Sequence, residues 1–289
     1  MAHYPLSETV ENLLKKYRKT GMFDSAIQVM GLDLEGYSDE DKTLSALGFI
    51  EQRLGDCPEA VYLNESTISR VDVEREAEGH LKAGYPVRGA KLPLKAPIDY
   101  ASFEGSSKNM QYKVQSLLAC DAILTADSKN RDDKWYKPGL KFIRDWVSNY
   151  IVGKREDDYT WYDMAVGQRS TKLSYILRRA IEMEESYKFI APMIVAAEIH
   201  IQDLMDEEKL ALHSNHGLFQ MLGLLALGKL LPFLKSAELA VDFAQANIVK
   251  MLEGQFSEDG LHKEHSPMYH IYMTNYVYSL NQSGLMGGD

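Results

Sequence analysis

Cysteine, tryptophan and long apolar runs are scarce in this sequence. Of 289 residues, two are cysteine and three are tryptophan. Cys57 and Cys120 form neither a metal-ligand spacing nor a disulfide framework, which excludes a small disulfide-stapled scaffold and a zinc ribbon. No window approaches the roughly 18 uncharged apolar residues of a membrane span, so a membrane partner is not expected. Basic charge is in deficit: 32 Lys and Arg stand against 42 Asp and Glu, a net charge of −10. That balance argues against nucleic acid as a partner. It does not exclude an anionic ligand, because a local basic cleft can focus an anion on an acidic protein. The start, MAHYPLSETVENLLKKY, lacks the basic-then-apolar layout of a secretory signal. The reading is cytoplasmic as the sequence stands, and periplasmic or secreted if a signal has been removed.

What the sequence does contain is helix, almost throughout. SETVENLLKKYRKTG reads as a helix with Ser7 as cap and Gly21 near its end, and DEDKTLSALGFIEQRLG as a second. The stretch from Pro58 to Tyr100 mixes β-branched residues with Gly79, Gly84, Pro86, Gly89, Pro93 and Pro97, and reads as an irregular connector with room for a short strand. Residues 1–100 thus form N-terminal helices and a connector, and residues 101–289 a helical domain. Within the latter, amphipathic segments follow in close succession: SKNMQYKVQSLLACDAILTA, WYKPGLKFIRDWVSNYI, WYDMAVGQRSTKLSYILRRAIEM, YKFIAPMIVAAEIHIQDLM, NHGLFQMLGLLALGKLL, SAELAVDFAQANIVKMLEGQF and PMYHIYMTNYVYSL. Short breaks force antiparallel neighbours. Without a fixed-period repeat, a series of helical hairpins closes toward a toroid rather than a consensus solenoid. Six hairpins would need about twelve helices. Nine or ten can be counted, so the fold class expected is all-α, an incomplete (α/α) toroid.

Polar residues gather at three helix starts. Five of the eight histidines lie between His213 and His270. In HSNHGLFQ, Ser214 or Asn215 is a natural N-cap. In KEHSPMYH, Ser266 caps and Pro267 takes the first helical position, which sets Tyr269 and His270 in the first turn. In DDYTWYDMAVGQR, Thr160 and Asp163 have capping-box spacing, and Arg169 follows inside the helix. Alternate helices of an (α/α) barrel point their N-termini to one end, so these three starts can share a rim. Helix N-termini present unpaired N–H groups and partial positive charge, which suits a carboxylate and favours a tyrosine phenolate. The local His262, Glu264 and His265 have zinc-ligand chemistry but no supporting fold context, and no metal or other cofactor is expected.

These segments resemble the heparinase II/III-type polysaccharide lyases. NHGLFQMLGLLALGKLLP is similar to their Asn-His segment. DGLHKEHSPMYHIY is similar to their Glu-x-Ser-Pro-x-Tyr-His segment, here Glu264, Ser266, Pro267, Tyr269 and His270. WYDMAVGQRSTKLSYIL carries the corresponding Trp161, Asp163 and Arg169, and the whole resemblance spans roughly Tyr100 to Tyr278. It implies a toroid followed by a β-sandwich, a domain absent from this chain, and β-elimination of uronic-acid polysaccharides. It also implies catalytic roles for Asn215 and His216, which would hold the uronate carboxylate, and for Tyr269, which would move protons. Arg169, Trp161, Glu264, His265 and His270 are expected to bind the acidic polysaccharide. A glycoside hydrolase using Asp163 and Glu264, and a non-catalytic carbohydrate-binding helical module, are the competing readings. The sequence leaves the oligomeric state open.

Overall fold

A computed structural model describes residues 4, 6–55, 57, 59–62, 72–87, 90–261, 263 and 266–286, with all their side chains except those of Tyr269 and Tyr272. Glu264 and His265, both expected to bind substrate, and His262 lie outside the described residues. The fold is all-α, as expected, with twelve α-helices among the described residues and one short hairpin.

The chain starts with α1 (Glu8–Thr20), α2 (Met22–Val29) and α3 (Asp39–Leu54). Ser7 caps α1 by accepting from the Val10 N–H, Glu8 and Glu11 occupy the first turn, and Arg18 and Lys19 the last. Each placement complements the helix dipole. Gly21, at φ 91°, ends α1 and opens α2 directly. No sequence break marks α2 as a separate helix beyond that one glycine.

The connector reading of residues 58–100 requires correction. It holds α4 (Val73–Ala83), capped by the Asp72 carboxylate on the Arg75 N–H. The buried residues of α4 are Val73, Ala77 and His80, at helical spacing but with little apolar bulk, so the periodic signal is weak. The expected short strand is present as an antiparallel pair, β1 (Tyr85–Val87) and β2 (Ala90–Leu92), with Tyr85 opposite Leu92.

SKNMQYKVQSLLACDAILTA, expected as one helix, is two. Leu117 adopts the left-handed conformation at φ 54° and separates α5 (Lys108–Gln115) from α6 (Asp121–Asn130). Then follow α7 (Asp133–Val147), α8 (Asp163–Glu182), α9 (Tyr187–Leu204), α10 (Asn215–Leu230), α11 (Ala237–Gln255) and α12 (Pro267–Gln282). Helices apolar around their whole circumference must be enclosed. α10, NHGLFQMLGLLALGKL, is buried from Gly217 to Gly228, and α9 is buried along most of its length. α8 is buried continuously from Ala165 to Ala180 although it carries Gln168, Arg169, Lys172, Arg178 and Arg179.

α8 and α10 lie side by side and run parallel. A Cβ at Gly167 would stand 2.5 Å from the Phe219 carbonyl oxygen, and one at Gly223 would run into the Gly167 carbonyl. Only glycine permits backbones so close. α9 connects them in sequence and packs against both, which is the hairpin arrangement of a toroid wall. One continuous apolar core runs from Val10 in α1 to Leu285 beyond α12.

Inside that wall Lys172, Arg178 and Arg179 of α8 are paired with carboxylates. Asp127 on α6 is fully buried and accepts from the Tyr175 hydroxyl at 2.6 Å and from Arg179 Nε at 3.1 Å. Lys172 stands 3.0 Å from Asp121, and the Tyr62 hydroxyl donates to Asp121 at 2.7 Å. Arg131 bonds the Ala60 carbonyl, Glu59 and Glu182. Such partners offset the cost of taking these charges out of water.

Candidate active site

The start of α10 is set by Ser214, whose hydroxyl accepts from the His216 N–H at 3.2 Å. This puts Asn215 and His216 in the first turn, each partly exposed. Among the described residues the Asn215 side-chain amide makes no hydrogen bond. His216 Nδ1 faces the Asp163 carboxylate at 3.3 Å, and the Tyr162 hydroxyl lies 3.5 Å from the same nitrogen. The Tyr162 ring stands edge-on to the imidazole at 5.7 Å. Hydrogen bonding to Asp163 raises the His216 pKa, against a smaller opposing effect of burial. With Nδ1 turned to the carboxylate, Nε2 faces away, and in the protonated imidazole it carries an N–H donor.

The third helix start belongs to the same rim. The Gln255 amide at the end of α11 donates to the Ser214 carbonyl at 3.3 Å. Phe256, the next residue, has its ring 6.3 Å from that of His270 in the first turn of α12. Further down, Tyr276 packs edge-on to Phe219 at 4.7 Å, so α12 and α10 run the same way. Tyr269 sits in the first turn of α12. A cavity of about 380 Å³ lies against this rim, lined by Leu212, His213, Lys250, Met251, Gly254 and Gln255.

Two expected binding residues are placed elsewhere. Arg169 is fully buried. Its guanidinium lies 4.0 Å over the Trp146 ring and bonds His200 Nε2, the Gln115 carbonyl and the Thr160 carbonyl. Burial pushes its pKa down to about 9. Trp161 is 6% exposed and packs on His200. Neither side chain can line a cleft, because each is spent inside the wall. The capping box fails too. Tyr162 is the N-cap of α8 without a capping bond from its side chain, the Thr160 hydroxyl accepts from the Asp157 N–H, and Asp163 takes the Met164 N–H on one oxygen and His216 on the other.

Sequence reasoning missed the tyrosines beside His216. The Tyr162 ring packs tilted against Tyr4 at 4.6 Å and edge-on to Tyr159 at 5.5 Å and Tyr112 at 6.0 Å. Burial, then the nearby Asp163, lifts the Tyr162 pKa to about 12, so it stays a neutral hydroxyl and ring surface at physiological pH. Tyr-Thr-Trp-Tyr-Asp ahead of a helix was the available signal, but Tyr4 and Tyr112 come from distant segments.

The helical hairpins define the class of fold, an all-α incomplete toroid, with Asn215, His216 and Tyr269 at the starts of α10 and α12. The family model described as heparinase II/III N-terminus matches residues 70–287, and the chain belongs to that family. Similar folds among solved structures include a heparinase III with methylated lysines, at TM-score 0.61 and 15% identity, covering 98% of this chain and 44% of that one. A mutant heparan sulfate lyase from Pedobacter heparinus aligns at TM-score 0.57 and 17% identity, with the same two coverages. Another heparinase III gives TM-score 0.59 and 16% identity over 98% of this chain and 42% of that one. This chain therefore spans less than half the length of those proteins. No curated protein sequence matches it.

Proposed function

We propose that this chain forms the helical part of a polysaccharide lyase site that cleaves a uronic-acid-containing polysaccharide by β-elimination. The observation that carries the reading is the first turn of α10, where an unbonded Asn215 amide sits beside an imidazole that Asp163 holds toward its protonated form.

Elimination removes the proton at C5 of the uronate. That proton is only weakly acidic because the adjacent carboxylate is already negative. Donors aimed at the carboxylate let charge spread into it as the C–H bond breaks. Asn215 donates from its amide and His216 from Nε2–H, the latter as a charge-assisted hydrogen bond. Each well-placed donor of this kind is worth about 3 kcal/mol of barrier. Tyr269 is the proton carrier, as base toward C5, as acid toward the leaving glycosidic oxygen, or as both. The sequence motif around it supports that role. Tyr162 and its neighbouring tyrosines offer ring faces on which a sugar can stack. The acidic polysaccharide is the proposed partner, and heparan sulfate, the substrate in the name of one similar structure, is the first to test.

The hydrolase alternative needs Asp163 as a free acid or base. Its carboxylate is already engaged by His216 Nδ1, which favours the lyase. The test is to incubate the protein containing this chain with a panel of uronic-acid polysaccharides. Ultraviolet absorbance from an unsaturated uronate product is expected. New reducing ends without that absorbance would mean hydrolysis, and binding without either would mean a carbohydrate-binding module.

A further inference from the structure

Arg169 occupies an odd position for a cation. It is fully buried, and among the described residues no carboxylate lies within ion-pair distance of it. The acidic side chain that most raises its pKa is Asp203, itself paired with Lys209. An uncompensated buried charge is unfavourable, and an apolar residue of similar volume would serve packing better. The surroundings show what the guanidinium does instead. Its Nε donates to His200 Nε2 at 2.8 Å, and His200 Nδ1 faces the Ala196 carbonyl at 2.7 Å, so His200 is a neutral acceptor with one tautomer. The two remaining nitrogens bond main-chain carbonyls of separate segments, Gln115 at the end of α5 and Thr160 ahead of α8. The Gln115 side chain continues the bracing, accepting from Trp146 Nε1 and donating to the Tyr150 hydroxyl and Asp157. Asp157 and Thr160 are bonded to each other through both the Thr160 N–H and the Thr160 hydroxyl. The 157–160 turn is thus fixed from two sides, and Tyr162 and Asp163 follow it immediately.

We propose that Arg169 is a positioning residue: from inside the wall it fixes the turn before α8 through the Thr160 carbonyl, and so sets Tyr162 and Asp163 against His216. The inference rests on the role given to His216 above, but its test does not require turnover. A planar guanidinium suits the task because it holds three acceptors in set directions, which a lysine cannot. The titratable groups facing His216 are Asp163 and Tyr162 from the start of α8. His213 before α10, Lys250 on α11 and His270 on α12 belong to the neighbouring elements.

The experiment is a ¹⁵N nuclear magnetic resonance titration of the His216 imidazole in the wild-type chain and in the variants R169K, H200Q, D163N and R169K/D163N, with circular dichroism as the check on folding. The expected result is that R169K remains helical while the His216 pKa falls toward the ordinary value of about 6.5. D163N should produce the same fall, and the double variant should fall no further than either alone. H200Q, which leaves both carbonyl bonds available, should give a smaller fall. A folded R169K with a wild-type His216 titration overturns the proposal. So does additivity of R169K and D163N, since independent effects would mean that Arg169 does not act through Asp163. If neither R169K nor H200Q folds, Arg169 serves general stability and the positioning role is likewise rejected. Absence of polysaccharide cleavage with the expected titrations would leave this inference standing and remove only the lyase reading.

Discussion

Asp163 and His216 open two helices that are 53 residues apart in sequence, and their side chains meet at 3.3 Å. The contact exists because α8 and α10 run parallel with backbones touching at Gly167 and Gly223. It ties the pKa of one rim residue to the packing of the wall.

The first prediction concerns that pair. The folded-state pKa of His216 is raised, so its stabilising effect is fully present below the unfolded value of about 6.5 and disappears as pH rises through the folded pKa. Asp163→Asn removes most of the shift. Urea unfolding should show the variant less stable than wild type in mildly acid solution, by up to about 1 kcal/mol for so exposed a pair, with the two curves converging at alkaline pH. A difference that grows with pH would contradict the assignment.

Asn215→Ala tests the free amide. No hydrogen bond among the described residues is lost, so unfolding free energy should change by no more than about 0.5 kcal/mol. Turnover of a uronate polysaccharide should drop by roughly 10²–10³, with weaker binding of a uronate oligosaccharide by calorimetry. Unchanged turnover would exclude the amide from the site.

Tyr269→Phe keeps the ring and removes the hydroxyl. Formation of the unsaturated product should fall by a factor of about 10² to 10⁴, while oligosaccharide binding and thermal stability stay near wild type. A rate within a few-fold of wild type would defeat the proton-carrier role.

Gly167→Ala probes the wall. Its Cβ would lie 2.5 Å from a main-chain oxygen, which no side-chain rotation relieves. A loss of about 1–3 kcal/mol or more is expected in denaturant unfolding, together with a lowered His216 pKa if the helices separate. An ordinary stability would mean the two backbones are not in contact.

Asp127→Ala leaves Arg179 buried without this carboxylate and strips the Tyr175 hydroxyl of its acceptor. Arg179 keeps Glu182 at 3.1 Å, so the loss is that of a buried acceptor withdrawn from two donors, about 1–3 kcal/mol. The measurement is the midpoint of urea unfolding, and a shift smaller than that of a surface substitution would contradict it.

The helices were legible in sequence wherever apolar periodicity or a cap was strong: Ser7 and Gly21 bound α1, and Ser214 opens α10 at the expected residue. Local signals are short-range, and capping and periodicity act within a turn or two of the chain. The same limit explains the misreadings. α4 buries too little apolar bulk to announce itself, and the left-handed Leu117 that divides α5 from α6 is held by tertiary packing, not by its own preference. The sequence by itself determined which residue types stand at the helix starts, Asn215 and His216 at one and Tyr269 at another. Only the tertiary structure decided which of the remaining polar residues meet them. Asp163 and Arg169 are both polar members of α8, separated by less than two turns. One points to the rim and engages His216, while the other is swallowed by the core and holds main-chain carbonyls. The direction a helix turns each side chain depends on what packs around it, and that information lies in contacts between segments dozens of residues apart.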